Sequence, residues 1–182
     1  SHRWIIDPLD GTTNFLHGIP LFSISIGLER EGDLVAGVIY NPATDELFTG
    51  EKGKGAYLDN RRLRVAARTQ LAESVICCGV PHLGRGDHKL FITELEKIMS
   101  HSAGVRRTGS SALDLAWVSA GRFDAYWERG LSPWDMAAGI LIAREAGALI
   151  TDLSGDQNMM SCGDIVAGNE ALHAQILKLL NT

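Results

Sequence analysis

Apolar and polar residues follow a period of two in much of the first half of the chain. In the segment 22–28, apolar residues occupy every second position and small or polar residues occupy the others. This alternation predicts a half-buried β-strand, because successive side chains of a strand point to opposite faces. Turn-forming residues separate the apolar runs of this half: Glu31-Gly32-Asp33, Asn41-Pro42 and Asp59-Asn60. The first half is therefore predicted to be an antiparallel meander.

The second half is predicted to alternate between strands and helices. Ser110 or Ser111 is placed to cap a helix that ends at Gly121, and apolar side chains recur at helical spacing in three further segments. The predicted helices cover residues 87–101, 110–121, 134–146 and 169–180. The predicted strands between them cover residues 74–80, 105–107, 123–128, 148–152 and 165–167. Because there is no regular βαβ repetition, the sequence favours one layered α/β (α+β) domain over residues 1–182 rather than a doubly wound parallel sheet.

The composition is that of an ordinary globular protein and limits the choice of partners. Hydrophobic residues make up 45% of the 182 residues and charged residues 21%, which is sufficient for a sizeable core. The formal net charge of −5 argues against a surface that coats nucleic acid. An acidic protein that handles an anionic substrate needs a local positive charge, for which a bound divalent cation is the obvious source. No run of about 18 apolar residues is present, so insertion into a membrane is not expected.

Three cysteines are present, and their spacing does not match a zinc or redox motif. Cys77 and Cys78 are adjacent in a predicted strand, so their side chains should point to opposite faces, and Cys162 stands alone. All three are predicted to be buried free thiols in a reducing environment, which favours a cytoplasmic location.

An acidic loop follows the first apolar strand and is the leading candidate for chemistry. Asp7 and Asp10 lie three residues apart around Pro8, so both carboxylates can point at one cation. Mg²⁺ prefers oxygen ligands, and the carbonyl of Leu9 could supply another. When the motif is considered alone, an ordinary turn that follows a strand explains it equally well.

The residues after Asp10 suit a phosphate group. Gly11 lets the backbone approach a ligand closely, and the N–H groups of Gly11, Thr12 and Thr13 could donate to phosphate oxygens. The loop also invites comparison with the DxDGT motif of phosphatases that use an aspartate nucleophile. That motif requires an acid two residues before Asp10, where this chain has Pro8. Water activated by a metal is therefore favoured over covalent catalysis.

A third acid, Asp135, is predicted in the first turn of an apolar helix. An acid at that position caps the helix and interacts favourably with its dipole, which is a sufficient explanation on its own. The small residues Ala137, Ala138 and Gly139 suggest that the start of this helix packs closely against other backbone.

Two long motifs together resemble the signatures of the inositol monophosphatase family. Residues 4–15 (WIIDPLDGTTNF) are similar to its first signature, and residues 134–139 (WDMAAG), continued by Glu145-Ala146-Gly147, are similar to its second. The similarity extends over essentially the whole chain and is nearest to bacterial members. The resemblance implies a layered αβαβα sandwich of the type shared with fructose-1,6-bisphosphatase. It also implies that the protein is a Mg²⁺-dependent phosphomonoesterase that hydrolyses inositol monophosphate. A homodimeric assembly is implied as well.

The resemblance assigns roles to individual residues. Asp7, Asp10, Asp135 and the Leu9 carbonyl are expected to be metal ligands. Gly11 and Thr12 are expected to hold the phosphate, with the Thr12 hydroxyl orienting the attacking water. Further residues are expected to face the alcohol part of the substrate: Gly109, Ser110, Ser111 and Glu128.

One departure from the family pattern concerns the start of the chain. The family carries a further metal-binding Glu in a helical pair and hairpin upstream of the first strand, and this chain starts after that segment. A missing amino-terminal portion is therefore expected. The fold would then lack its amino-terminal helices and expose apolar surface on one sheet. Weak metal binding and little activity are expected from these 182 residues alone.

Two groups of alternatives remain open. Within the same enzyme class, the substrate could be histidinol phosphate, fructose bisphosphate, a nucleotide 3′-phosphate or NADP, because specificity lies in peripheral loops. In a different class, the chain could be a regulatory protein that binds transcription or RNA machinery. Its candidate surfaces are basic clusters, each of which is ordinarily a solvated face: Arg61, Arg62, Arg64 and Arg68, and the pair Arg106-Arg107.

Overall fold

The computed structural model describes residues 1–182 and contains two β-sheets. The first sheet has six strands, each antiparallel to the next along the chain, so the predicted meander is confirmed. Its strands are β1 (His2–Asp10), β2 (Ser23–Arg30), β3 (Asp33–Asn41), β4 (Glu46–Glu51), β5 (Gly55–Leu58) and β6 (Arg61–Arg62).

The second sheet has five strands in the order β10-β11-β9-β7-β8. Strand β7 pairs in parallel with β8 and β9, and the other pairs are antiparallel, so the sheet is mixed rather than doubly wound. Its strands are β7 (Val75–Cys78), β8 (Gly104–Arg106), β9 (Ala125–Glu128), β10 (Leu149–Thr151) and β11 (Ile165–Gly168).

Helices fill two layers. The helices are α1 (Thr12–Leu16), α2 (His88–Met99), α3 (Ser111–Ser119), α4 (Pro133–Glu145), α5 (Met159–Cys162) and α6 (Glu170–Leu180). Helices α3 and α4 lie between the two sheets and are buried on nearly every side, while α2 and α6 cover the other face of the second sheet. The four layers sheet, helix, sheet, helix agree with the predicted sandwich without its amino-terminal helices. None of the helices combines the length and apolarity required to span a membrane.

The buried face of β2 is the opposite of the one that its alternation suggests. Ser23, Ser25 and Gly27 are buried, whereas Ile24 is 38% exposed. Helix α4 packs so closely on the sheet that a Cβ at Gly27 would lie 3.0 Å from the Ala137 Cβ. Only small side chains fit under the helix, so the apolar residues of β2 face outward.

The outward face of the first sheet is apolar and uncovered. Trp4 is 64% exposed and Ile6 is 51% exposed. These side chains share the outward face with Ile24, because Trp4 and Ile6 pair with Leu28 and Ile26 of β2. The expectation of exposed apolar surface on one sheet is confirmed.

The prediction for the cysteines is correct for two of the three. Cys77 packs between the sheets with α3 and α4, and Cys78 packs on the other face with α2 and α6. Cys162 is exposed, so the prediction that it is buried is wrong. It ends the short helix α5 at the surface, immediately before Gly163.

Candidate active site

Asp7 and Asp10 reach the same side of the first sheet because β1 contains a bulge. Asp7 pairs with Ser25 and Asp10 pairs with Ser23, so β1 uses three residues where β2 uses two. In a regular strand, residues three positions apart point to opposite faces. The extra residue of the bulge cancels that difference. Both carboxylates consequently face the end of the central helical layer.

Asp135 is brought to the same place by α4. Pro133 begins the helix, and the carboxylate of Asp135 accepts a hydrogen bond from the Ser132 N–H at 2.8 Å, so its capping role is real. Oxygen atoms of Asp7, Asp10 and Asp135 also lie within 4.8 Å of one another. These three carboxylates form the acidic cluster, and capping and clustering are compatible explanations for Asp135.

The acidic cluster carries negative charge without a cationic partner. No Lys or Arg side chain forms an ion pair with any of its members. Burial raises the pKa of Asp10 to about 6, with smaller contributions from Asp135 and Asp7. Burial, and then Asp7, raise the pKa of Asp135 as well. A hard divalent cation fits this set, since it would supply the missing positive charge to oxygen donors.

Residues 7–10 were predicted to be a loop after the first strand, but they form the bulged end of β1, where local hydrogen bonds hold the backbone. The N–H of Leu9 donates to the Asp7 carboxylate at 3.0 Å, and the Thr12 hydroxyl donates to the Leu9 carbonyl at 3.1 Å. Gly11 has φ of +86°, and a Cβ there would lie 2.9 Å from the Leu21 carbonyl oxygen. Glycine is therefore required at this turn into α1, whose first N–H groups lie beside the cluster.

Donors from the start of α3 hold Asp10. The Ser110 hydroxyl donates to Asp10 Oδ2 at 2.5 Å and the Ala112 N–H donates to the same oxygen at 2.9 Å. Ser111 Oγ is 3.5 Å from the other oxygen, Oδ1. Ser110 also caps α3, as one of the two predicted alternatives. Its hydroxyl is thus already bonded to Asp10, while its predicted contact with substrate stays a prediction.

Glu128 lies across the cavity from the cluster, at the end of β9. Its carboxylate accepts a hydrogen bond from the Tyr126 hydroxyl, and burial raises its pKa to about 7. A Cβ at Gly79 would lie 1.8 Å from the Glu128 carboxyl carbon, so Glu128 occupies the space that Gly79 leaves.

The predicted residues line one cavity of about 230 Å³. A further cavity of about 140 Å³ adjoins it on the far side of Glu128. Eight of the ten predicted site residues line the first cavity: Asp10, Gly11, Thr12, Gly109, Ser110, Ser111, Glu128 and Asp135. Asp7 and Leu9 do not line it themselves but contact residues that do: Asp7 belongs to the acidic cluster, and the Leu9 carbonyl accepts a hydrogen bond from Thr12.

The sequence analysis missed several residues of this site. Asn14 is buried, and its amide donates to the carbonyls of Leu21 and Thr108, which joins the first motif to the loop before α3. Asp114 is buried in α3 and lines the same cavity. An acid among the apolar residues of a buried helix was the available signal for Asp114. Arg85 also lines the cavity, and no sequence pattern singled it out.

Arginines line a separate cavity of about 360 Å³ at the other end of α3. Arg61, Arg62 and Arg64 are exposed there and have no carboxylate partner. Arg122 joins them from a distant part of the chain and pairs with Glu46. These four residues and their surroundings are called the arginine cavity below.

Two other basic residues lie outside the arginine cavity. Arg68 was grouped with it from the sequence, but it pairs with the buried Asp124 at 3.0 Å. Arg107 instead lines the cavity beside the acidic cluster. The basic surface therefore differs from the predicted one: Arg68 and Arg107 do not belong to it, and Arg122 does.

Known proteins are similar to this chain over nearly all of its length. A family model described as "Inositol monophosphatase family" matches residues 1–182. The chain is 62% identical over 178 residues to "Inositol-1-monophosphatase" of Mesorhizobium japonicum, which covers 98% of this chain and 67% of that protein. It is 46% identical over 171 residues to "Nus factor SuhB" of Pseudomonas aeruginosa, which covers 93% of this chain and 63% of that protein.

A solved structure agrees over the whole length of the chain. It is the extragenic suppressor protein suhB from Bartonella henselae, with a TM-score of 0.97 and 52% identity. The match covers 100% of this chain and 70% of that one. The chain thus spans about two thirds of the length of the relatives that it matches.

Proposed function

The chain belongs to the inositol monophosphatase family, and we propose that it hydrolyses inositol monophosphate to inositol and phosphate at the acidic cluster. The name of the relative from Mesorhizobium japonicum supports this substrate. The observation that carries the proposal is that Asp7, Asp10 and Asp135 meet within 4.8 Å beside a cavity. They come from two elements that are more than 100 residues apart in the chain.

We propose Mg²⁺ as the cation, held by the three carboxylates and the Leu9 carbonyl. Held there, such a cation would supply Lewis-acid chemistry, which activates water and neutralises charge on the departing oxygen. Carboxylate and carbonyl oxygens are the donors that Mg²⁺ prefers. The lack of a Lys or Arg partner for any of the three carboxylates supports this assignment, because a cation would neutralise their charge.

The chain's own residues would position the substrate. The N–H groups of Gly11 and Thr12 donate to phosphate oxygens, and the Thr12 hydroxyl, now bonded to the Leu9 carbonyl, orients the water. Glu128 accepts hydrogen bonds from hydroxyls of the alcohol, with Gly109 and Ser111 beside it. Positioning and electrostatic stabilisation supply most of the rate in phosphoryl transfer, so no phosphoenzyme is required.

The test is phosphate release from a panel of phosphate monoesters in Mg²⁺. The panel contains inositol 1-phosphate, histidinol phosphate, fructose 1,6-bisphosphate, a nucleoside 3′-phosphate and NADP. We expect the highest kcat/KM for inositol 1-phosphate and a loss of at least about 100-fold in Asp135→Asn. Unchanged activity in that variant would exclude the acidic cluster as the site. A higher kcat/KM for another ester would reassign the substrate.

A second candidate function is a regulatory role in transcription. Two observations favour it: the similarity to a protein named "Nus factor SuhB" and the unpaired arginines of the arginine cavity. A pull-down with the chain and with a variant that carries Glu at Arg61, Arg62 and Arg64 would test it. Unchanged capture of transcription proteins would remove this surface from consideration.

Assembly, location and domain division stay proposals. We propose a homodimer, a cytoplasmic location and a single phosphatase domain over residues 1–182. The molar mass in solution, measured by light scattering, tests the dimer directly. A mass that remains at 19.7 kDa at micromolar concentrations would contradict it.

A further inference from the structure

Asp114 is a buried carboxylate that the proposed chemistry does not use. It lies in the first turn of α3, is 1% exposed and forms part of the wall of the catalytic cavity. No Lys or Arg pairs with it. Its Oδ1 accepts hydrogen bonds from the Thr108 hydroxyl at 2.5 Å and from the Cys77 thiol at 3.0 Å. A buried carboxylate without a cation is unfavourable, so these donors must hold it in one position.

Thr108 connects Asp114 to the loop before α3. Its hydroxyl has one proton, and the contact with Asp114 is shorter than the 3.3 Å contact with the Ser110 carbonyl. The Thr108 hydroxyl therefore donates its hydrogen bond to Asp114. Its oxygen remains free to accept a hydrogen bond from the Ser110 N–H at 3.2 Å. The backbone of Ser110 is fixed in this way by a side chain that Asp114 orients.

Ser110 in turn holds Asp10. Its hydroxyl and the Ala112 N–H both donate to Asp10 Oδ2, so residues about 100 positions away determine how this carboxylate is turned. With Oδ2 occupied by donors, Oδ1 is the oxygen that remains for a ligand; its one contact, with Ser111, is 3.5 Å long. A small rotation of Ser110 would move its hydroxyl and thus the direction of Oδ1.

We propose that Asp114 and Thr108 are positioning residues for Asp10, through the hydrogen-bonded series Asp114–Thr108–Ser110–Asp10. This series is called the relay below. The relay sets the orientation of the cation-facing oxygen of Asp10 without contact with the cation or the substrate. The proposal rests on the proposed function in so far as Asp10 binds a cation. Partners of ligand side chains commonly change metal affinity by about 10- to 100-fold.

Three substitutions separate the relay from simple packing. Thr108→Val has the same shape but no hydroxyl, Thr108→Ser restores the hydroxyl, and Cys77→Ala removes the other donor to the same Asp114 oxygen. The dissociation constant for Mn²⁺ alone is measured by calorimetry, without substrate. We expect it to rise about 10-fold in Thr108→Val and to stay close to the unsubstituted value in Thr108→Ser and Cys77→Ala.

Amide hydrogen exchange in EDTA provides a second test of the relay, which requires no bound metal. We expect faster exchange at the N–H groups of Ser110 and Ala112 in Thr108→Val, with unchanged exchange in the middle of α4. Failure to accelerate exchange there would overturn the relay, as would a Cys77→Ala variant that loses Mn²⁺ affinity to the same extent. An unsubstituted chain that binds no Mn²⁺ would count against the proposed function, and the exchange measurement would still decide the relay.

Discussion

The two ends of α3 carry opposite charges in opposite surroundings. At its amino-terminal end, Asp10 accepts hydrogen bonds from the first turn, beside a cluster of carboxylates that is partly or fully buried. At its carboxyl-terminal end, Ala120 borders the arginine cavity. Both arrangements suit the helix dipole, which favours anions at the first turn and cations at the last. They differ in burial, because the arginines are exposed and Asp10 is 8% exposed.

This difference determines what each charged group does to the protein. Exposed arginines remain hydrated, so they neither cost nor contribute much stability. The buried carboxylates lose hydration, and their pKa values rise as a result. The acidic end of α3 is therefore expected to reduce stability until a cation binds, whereas the basic end is expected to have almost no effect. The predictions below test this comparison, starting from the largest expected effect.

Replacing Asp10 should weaken cation binding and, in the absence of a cation, stabilise the fold. We expect Asp10→Asn to lower Mn²⁺ affinity by more than about 100-fold, above the range for partners of a ligand. In EDTA the same variant should melt at a higher temperature, because the amide removes a buried charge and can still accept from Ser110 and Ala112. Calorimetry and thermal denaturation measure the two quantities. A lower Tm in EDTA would contradict the proposed cost of the acidic end.

Glu128 provides a smaller and more local test at the alcohol side of the cavity. A Cβ at Gly79 would overlap the Glu128 carboxylate, so Gly79→Ala must displace it. We expect kcat/KM for inositol 1-phosphate to fall about 10- to 100-fold, with Mn²⁺ affinity unchanged. Gly104→Ala is the matched control on β8, because its Cβ would meet only the flexible end of Arg106. Loss of Mn²⁺ affinity in Gly79→Ala would show that the two sides of the cavity are not separate.

The pH dependence of stability should also distinguish the two ends. Burial raises the pKa of Glu128 to about 7 and that of Asp114 to about 8, so the folded state holds protons that the unfolded state releases near pH 4. Their contribution to stability is full at low pH and is lost as pH rises through these values. Burial lowers the pKa of His173, which opposes the trend only below about pH 6.5.

Thermal denaturation in EDTA measures this trend most cleanly between about pH 6.5 and pH 8. We expect Tm to fall over that window by several degrees. Mg²⁺ should oppose the fall, because it binds ionised carboxylates and its stabilisation increases with pH. A Tm that rises from pH 6.5 to pH 8 in EDTA would contradict the raised pKa values.

Much of the architecture was predictable from local pattern, but the face that each strand buries was not. The meander, the helices α2 and α4 and the cap at Ser110 follow from periodicity and turn chemistry. The burial of β2 is inverted because α4 approaches the sheet closely: a Cβ at Gly27 of β2 would lie 3.0 Å from the Ala137 Cβ, and a Cβ at its partner Gly37 would lie 2.9 Å from the Ala138 carbonyl oxygen. Such an approach is a property of two packed elements, and no single segment encodes it.

The candidate site was predictable as a set of residues and not as a set of contacts. The resemblance brought together Asp7, Asp10 and Asp135, and they do meet. The bulge in β1, which turns Asp10 to the side of Asp7, has no clear signature in the sequence. Asp114 and Asn14 both bond to Thr108 in the loop before α3: Asp114 accepts from its hydroxyl, and the Asn14 amide donates to its carbonyl from a distant part of the chain. These pairings require coordinates.

The basic end of α3 should show the smallest effects. Replacing Arg61, Arg62 and Arg64 together by Gln should leave the free energy of unfolding within about 0.5 kcal/mol and leave Mn²⁺ affinity unchanged, because none of the three forms an ion pair. Arg122 provides the contrast, since it bonds Glu46 and lies 5.3 Å from the centre of the Trp117 ring. Arg122→Gln should therefore cost about 0.5–1 kcal/mol, measured by urea denaturation. If the triple variant cost more than Arg122→Gln, the exposed arginines would contribute to the fold, and the contrast between a costly acidic end and an energetically neutral basic end would be lost.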